Sequence, residues 1–80
     1  MHETHLIKNI FGYLQNEEAA SLKQINAITM NLSEFGSFSK DHLMAHFNEE
    51  AKGTKWENIG VNINTIPFGP ELEITKIEYK

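Results

Sequence analysis

The apolar positions of the chain change their spacing from segment to segment, and this pattern predicts helices that alternate with strands. Near the N-terminus they recur with the spacing of one face of an α-helix, at Leu6, Ile7, Ile10, Phe11 and Leu14. We expect this helix to begin near Glu3 or Thr4 and to end near Glu18. From Ile25 apolar and polar residues alternate, which predicts a strand with one buried face.

A loop over residues 33–39 leads to a second helix and then to two more strands. Ser39 is a plausible N-cap, and Gly53 stops the helix. Alternating apolar residues predict strands at 61–64 and 72–79, joined by a loop or hairpin over 66–70, where Pro67 and Pro70 cannot donate ladder hydrogen bonds. The order predicts a single α+β domain, with two helices packed on one face of a small three-stranded sheet.

The first residues combine several metal-ligating groups. The Met1 amine, the deprotonated His2 amide and the His2 imidazole can form fused chelate rings around one ion. Imidazole and amide nitrogens in a flat arrangement suit Ni(II) or Cu(II). Glu3 or His5 would supply the fourth ligand. The alternative is a solvated terminus in which Glu3 only stabilises the start of the helix.

Composition narrows the function classes. The chain has 80 residues, a net charge of -4, seven lysines and no arginine, so a nucleic-acid partner is not expected. So short a chain buries only a small core, and a homodimer or protein partner would stabilise it. Without cysteine it has neither disulfides nor thiolate zinc sites, which fits a cytoplasmic protein. No segment reads as a signal peptide or membrane span.

Several segments resemble, in order, the HypA family of nickel chaperones for hydrogenase and urease maturation. The resemblance rests on the Met1-His2-Glu3 start before an amphipathic helix and on the segments 28–35, 51–54, 61–64 and 71–79. It covers nearly all of residues 1–80. It implies a nickel-binding domain in which Met1, His2 and Glu3 hold Ni(II), and a partner that is a maturation GTPase or a nickel-enzyme precursor.

The sequence departs from the family at one important place. The family carries a zinc domain with two Cys-x-x-Cys pairs between its last two strands, whereas here residues 66–70 run straight through and no zinc is expected. The chain therefore resembles the nickel-binding half alone. A metal-free adaptor that binds a protein partner is the alternative function.

Aromatic residues in loops are the candidate contact surface of such an adaptor. Phe35, Phe38 and Phe68 stand in loops or turns and could form a patch with Trp56, although core packing is the simpler interpretation of each ring. His42 and His46 have a spacing that can bind a metal on a helix face, although a solvated face is the simpler interpretation.

No enzyme is predicted. Glu17-Glu18 and Glu49-Glu50 are neighbours that diverge around a helix, so they are interpreted as surface charge rather than as catalytic pairs. The chain also has no nucleophile with a defensible histidine and acid, and no glycine-rich phosphate loop.

Overall fold

The computed structural model describes residues 3–36 and 39–80, with the backbone alone for residues 3–5. Two helices and three strands follow one another as α1 (Glu3–Ser21), β1 (Ile25–Ser33), α2 (Lys40–Ala51), β2 (Gly60–Ile66) and β3 (Leu72–Tyr79). The helices pack on one face of the three-stranded sheet, so the predicted α+β class is confirmed.

The boundaries of the helices reflect local chemistry. α1 continues beyond the predicted end at Glu18 to Ser21, because Ala19 and Ala20 favour helix without adding to the apolar stripe. The predicted cap of α2 is confirmed, since the Ser39 hydroxyl accepts a hydrogen bond from the His42 amide at 3.2 Å. After α2 the chain turns through Gly53, whose positive φ of 80° suits glycine.

The sheet has the order β2-β1-β3. β1 runs parallel to β2 through the crossover helix α2, and antiparallel to β3. β2 and β3 therefore do not form a hairpin, which was one of the two connections that we predicted for residues 66–70. Their connecting loop instead passes the end of β1, where the Ser33 amide donates to the Glu71 carbonyl and the Glu34 amide to the Ile66 carbonyl. Ser33 accordingly belongs to the strand and is buried, although we predicted it as loop.

An extra residue in β3 explains its irregular apolar spacing. Met30 pairs with Ile74 and Thr29 pairs with Lys76, so Thr75 forms a bulge. The bulge shifts the alternation by one residue. Leu72 and Ile74 before it, and Ile77 and Tyr79 after it, consequently all pack against the core.

The core lies between the sheet and the helices. Its largest fully buried side chains are Ile7, Leu14, Ile25, Ile28, Met30, Leu32, Leu43 and Phe47. Phe11 of α1 meets Phe47 of α2 edge to face, with ring centroids 5.2 Å apart. The opposite face of the sheet is polar, since Thr29 and Asn31 of β1 flank Asn62 and Asn64 of β2.

Candidate functional site

The predicted metal ligands lie outside the part of the chain whose side chains are described. Met1 and His2 precede the described residues, and only the backbone is described for Glu3 and His5. Phe38 also lies outside the described residues. The terminal chelate and the contribution of Phe38 therefore stay predictions.

The position of the start of α1 is defined by its neighbours. Leu6 and Leu72 line the same groove, and Leu72 pairs with Leu32 near the end of β1. At the other end of the helix, Glu18 accepts a hydrogen bond from the amide of Ile25, the first residue of β1. The first turn of α1 therefore lies at the end of the sheet where β1 finishes. We call this the loop end of the molecule.

Phe35 and Phe68 form an exposed aromatic pair at the loop end. Their side chains are 78% and 81% exposed, and their ring centroids are 6.1 Å apart. Phe35 follows β1 in a turn closed by the Gly36 amide, which donates to the Ser33 carbonyl. So much unburied aromatic surface is unusual in a small domain and suits a contact with another molecule.

The turn that carries Phe68 is conformationally restricted. Gly69 has a φ of 136°, and a Cβ at that position would lie 2.9 Å from Cδ1 of Ile66. Glycine alone fits there without strain, and Pro67 limits the backbone on the other side of the ring. The exposure of Phe68 is thus built into the turn.

Trp56 does not belong to this patch, and its burial agrees with core packing, the simpler of the two interpretations that the sequence allowed. It is only 5% exposed, in the turn between α2 and β2, and its amide donates to the Thr54 hydroxyl at 3.1 Å. The Lys55 ammonium lies 4.9 Å from its ring centroid. Trp56 therefore stabilises the turn rather than a contact surface.

Three acidic residues lie at or near the loop end that carries the aromatic pair. Glu34 directly precedes Phe35 and is exposed, Glu71 lies beside Gly36, and Glu73 is exposed on β3 next to Asn31. A molecule that binds the loop end would therefore need an apolar contact bordered by lysine or arginine.

A groove of about 430 Å³ runs from the loop end between α1 and β3. Its lining is mainly apolar and consists of Leu6, Asn9, Ile10, Tyr13, Leu72 and Ile74. Tyr13 is 45% exposed, and its hydrogen bond with Glu17 raises the pKa of the phenol. β3 is an edge strand of the described sheet, so one side of its backbone does not pair within that sheet. The groove could not be predicted from the sequence. Helix periodicity identifies the apolar face of α1, but it does not show which residues of that face extend beyond a narrow sheet.

The sequence interpretation of Glu18 as surface charge is wrong. Its side chain is only 12% exposed and contacts both the Lys55 ammonium and the Ile25 amide, the latter at 2.7 Å. These two contacts, with Lys55 the stronger, lower the pKa of Glu18 below the usual value for a carboxyl group. The residue joins α1, β1 and the turn before β2, so its role is structural.

His42 and His46 lie together on the exposed part of α2, with ring centroids 5.0 Å apart and an interplanar angle of 71°. Within residues 6–36 and 39–80, no group of three or more histidine or acidic side chains is arranged to hold a metal ion.

Comparisons with known proteins leave the family open. No family model matches the chain, and no curated protein matches it either. Neither α1 nor α2 is long and apolar enough to cross a membrane.

Proposed function

We propose that this protein is a cytoplasmic nickel-binding accessory protein, a HypA-like metallochaperone without the zinc module, which delivers Ni(II) during hydrogenase or urease maturation. Met1, His2 and Glu3 would hold the ion, with His5 available as a further ligand. The observation that best supports this function is the position of the first turn of α1 at the loop end, the same end of the sheet that carries the exposed pair Phe35 and Phe68.

This juxtaposition suits metal transfer. A recipient that covers the aromatic pair would meet the start of α1, where its own ligands could replace those of the donor one at a time. The acidic residues at or near the loop end would favour a recipient with a basic rim. A nickel-enzyme precursor or a maturation GTPase would be the recipient.

A nickel titration tests the terminal chelate. The untagged protein should be compared with a His2→Ala variant and with a form extended at its N-terminus, all carrying His42→Asn and His46→Asn so that only terminal ligands remain. We expect one equivalent of Ni(II), with the visible absorption of a square-planar ion, in the untagged protein alone. Circular dichroism of all three forms controls for folding. Unchanged binding in both altered forms would refute the chelate.

The same titration should depend strongly on pH. The amine, the amide and the imidazole must all lose protons to bind, so affinity should fall as the pH falls through the histidine range. We expect a steep loss between about pH 8 and pH 5. A constant affinity over that interval would contradict the proposed ligands.

A metal-free adaptor is the second candidate function, and the groove beside the edge strand β3 favours it. An extended segment of a partner, or β3 of a second copy, could add to the edge while apolar side chains fill the groove. Mass measurement in solution at high concentration tests self-association, with Tyr13→Ala to disturb the groove and Lys8→Ala as an exposed control on the same helix. A monomer at all concentrations would exclude the homodimer, and an N-terminal extension should leave an adaptor unaffected.

A further inference from the structure

We propose that His42 and His46 form a second metal site, on the face of α2, that takes a divalent late transition ion such as Cu(II), Ni(II) or Zn(II). The proposal does not depend on the terminal chelate. It rests on the contact between the two imidazoles, on their accessibility and on the rigidity of the helix that carries them.

The backbone of α2 already brings the two imidazoles together. Residues four apart lie one above the other on a helix, and a His pair at this spacing supplies two zinc ligands in one class of metalloprotease helix. Here the ring centroids are 5.0 Å apart in an edge-to-face arrangement. Imidazoles at this spacing can each present one nitrogen to a common ion.

The helix that holds the pair is well anchored. Leu43 and Phe47 follow the two histidines directly and are 1% and 2% exposed, so they fix the rotation of α2 against the sheet. The Ser39 cap accepts from the amide of His42 itself. Little conformational entropy is therefore lost when an ion bridges the pair, which favours chelation over binding by separate side chains.

The surroundings suit a cation with open coordination positions. His42 is exposed and His46 half-buried, so water can complete the coordination sphere. Glu49 and Glu50 follow on the same helix, and the net charge of the protein is -4. Imidazole binds copper, nickel and zinc alike, and copper should bind most tightly.

The location of His42 and His46 in the fold bears on the function of the proposed site. α1 and α2 both run from the loop end toward the start of β1, so His42, in the first turn of α2, lies toward the loop end. The second site thus belongs to the same half of the molecule as the exposed aromatic pair. An ion held there would lie near a partner bound at the loop end.

The chain contains four histidines, which permits a well-controlled experiment. In an N-terminally extended protein with His2→Ala and His5→Ala, His42 and His46 are the only histidines left. The control adds His46→Asn and Asn48→His, which keeps the composition but moves one imidazole off the shared face of α2. Both proteins should be titrated with Cu(II) alone by calorimetry, with circular dichroism to verify the fold.

We expect one equivalent of Cu(II) bound by the parent, at least about tenfold more tightly than by the control, because the second imidazole acts within the same molecule. Bound copper should also raise the melting temperature of the parent alone, since it crosslinks successive turns of α2. Equal affinity in the two proteins, or no binding in the parent, would overturn the second site. Since the terminal ligands are removed throughout, either result is independent of the proposed nickel chelate.

Discussion

At the scale of single residues, Glu18 is a polar side chain that joins three parts of the fold. Its carboxylate accepts from the Ile25 amide and pairs with Lys55, so one side chain ties α1 to the start of the sheet and to the turn before β2. A hydrogen bond to a charged group is worth roughly 1.5–3 kcal/mol. Because the carboxylate is largely buried, water screens its contacts less than it would screen those of a surface glutamate.

The pH dependence of unfolding tests this role. The pKa of Glu18 is lowered in the folded protein, chiefly by Lys55, so the ionised carboxylate stabilises the fold above the unfolded-state pKa of about 4.3. This stabilisation is lost as the pH falls through the lower folded-state pKa. We expect Glu18→Gln to lower the free energy of unfolding near neutral pH and to flatten its decline in acid, as measured by urea denaturation.

Glu49→Gln is the matched control for this measurement, because Glu49 is an exposed glutamate on the other helix. It should leave both the neutral stability and the acid slope nearly unchanged. If the two variants lost stability equally, the contacts of Glu18 would not matter in solution.

At the scale of elements, the bulge at Thr75 decides how β3 fits the sheet. If Thr75 were paired as an ordinary strand residue, the two apolar pairs in β3 would point to opposite faces. Deletion of Thr75 would place Leu72, Ile74, Ile77 and Tyr79 in strict alternation, so we expect β3 to become a regular strand that keeps all four side chains against the core. The free energy of unfolding, measured by urea denaturation, should therefore fall by much less than the roughly 2–3 kcal/mol that exposing two half-buried side chains would cost.

Thr75→Ala serves as the control, since it keeps the bulge and removes only the weak hydroxyl contact with the Thr29 carbonyl at 3.4 Å. It should cost less than about 1 kcal/mol. A loss of about 2–3 kcal/mol in the deletion but not in the substitution would contradict this prediction, because it would show that the four apolar side chains do not keep their places without the bulge.

The elements also show how far sequence reasoning reaches. The helices, the strands and the Ser39 cap follow from local periodicity and cap chemistry, which act over a few residues. The strand order and the groove depend on contacts between distant segments. The loop with two prolines is compatible with a β2–β3 hairpin and also with the observed connection, which passes the end of β1. Ile74 and Ile77 are three residues apart, whereas regular alternation would give a spacing of two. This spacing is a sequence signal for the bulge that can be recognised in retrospect.

The candidate site was predictable only in part, for a related reason. Turn chemistry correctly places Phe35 and Phe68 in loops, but sequence alone favoured core packing for each ring. Their exposure depends on how the two turns meet at the loop end. Glu18 was misjudged because its partners, Ile25 and Lys55, lie on other elements.

At the scale of the whole molecule, the proposed function concentrates at the loop end. If a recipient binds Phe35 and Phe68, the double substitution Phe35→Ser and Phe68→Ser should slow nickel transfer to an apo nickel-enzyme precursor. Release to a small chelator should be unchanged, because a chelator needs no docking surface. Stopped-flow absorbance at the nickel band would follow both reactions.

Stability provides the control for that experiment. Each ring is about four-fifths exposed, so replacing both should change the free energy of unfolding by less than about 0.5 kcal/mol per site. Phe47→Ala, in the core, should instead cost about 3–5 kcal/mol. Equal transfer rates for the wild type and the double variant would exclude the aromatic pair as the docking surface.

The central position of β1 has a consequence for hydrogen exchange. β1 is bonded to β2 on one side and to β3 on the other, whereas each of these has an open edge. Its amides can exchange only when the sheet separates, so they should be the slowest in the chain and report global unfolding. Only Glu34 separates Phe35 from β1. One of the two exposed rings is therefore attached to the strand that opens last. A partner that binds this ring would meet a surface that stays ordered while other parts of the chain open locally.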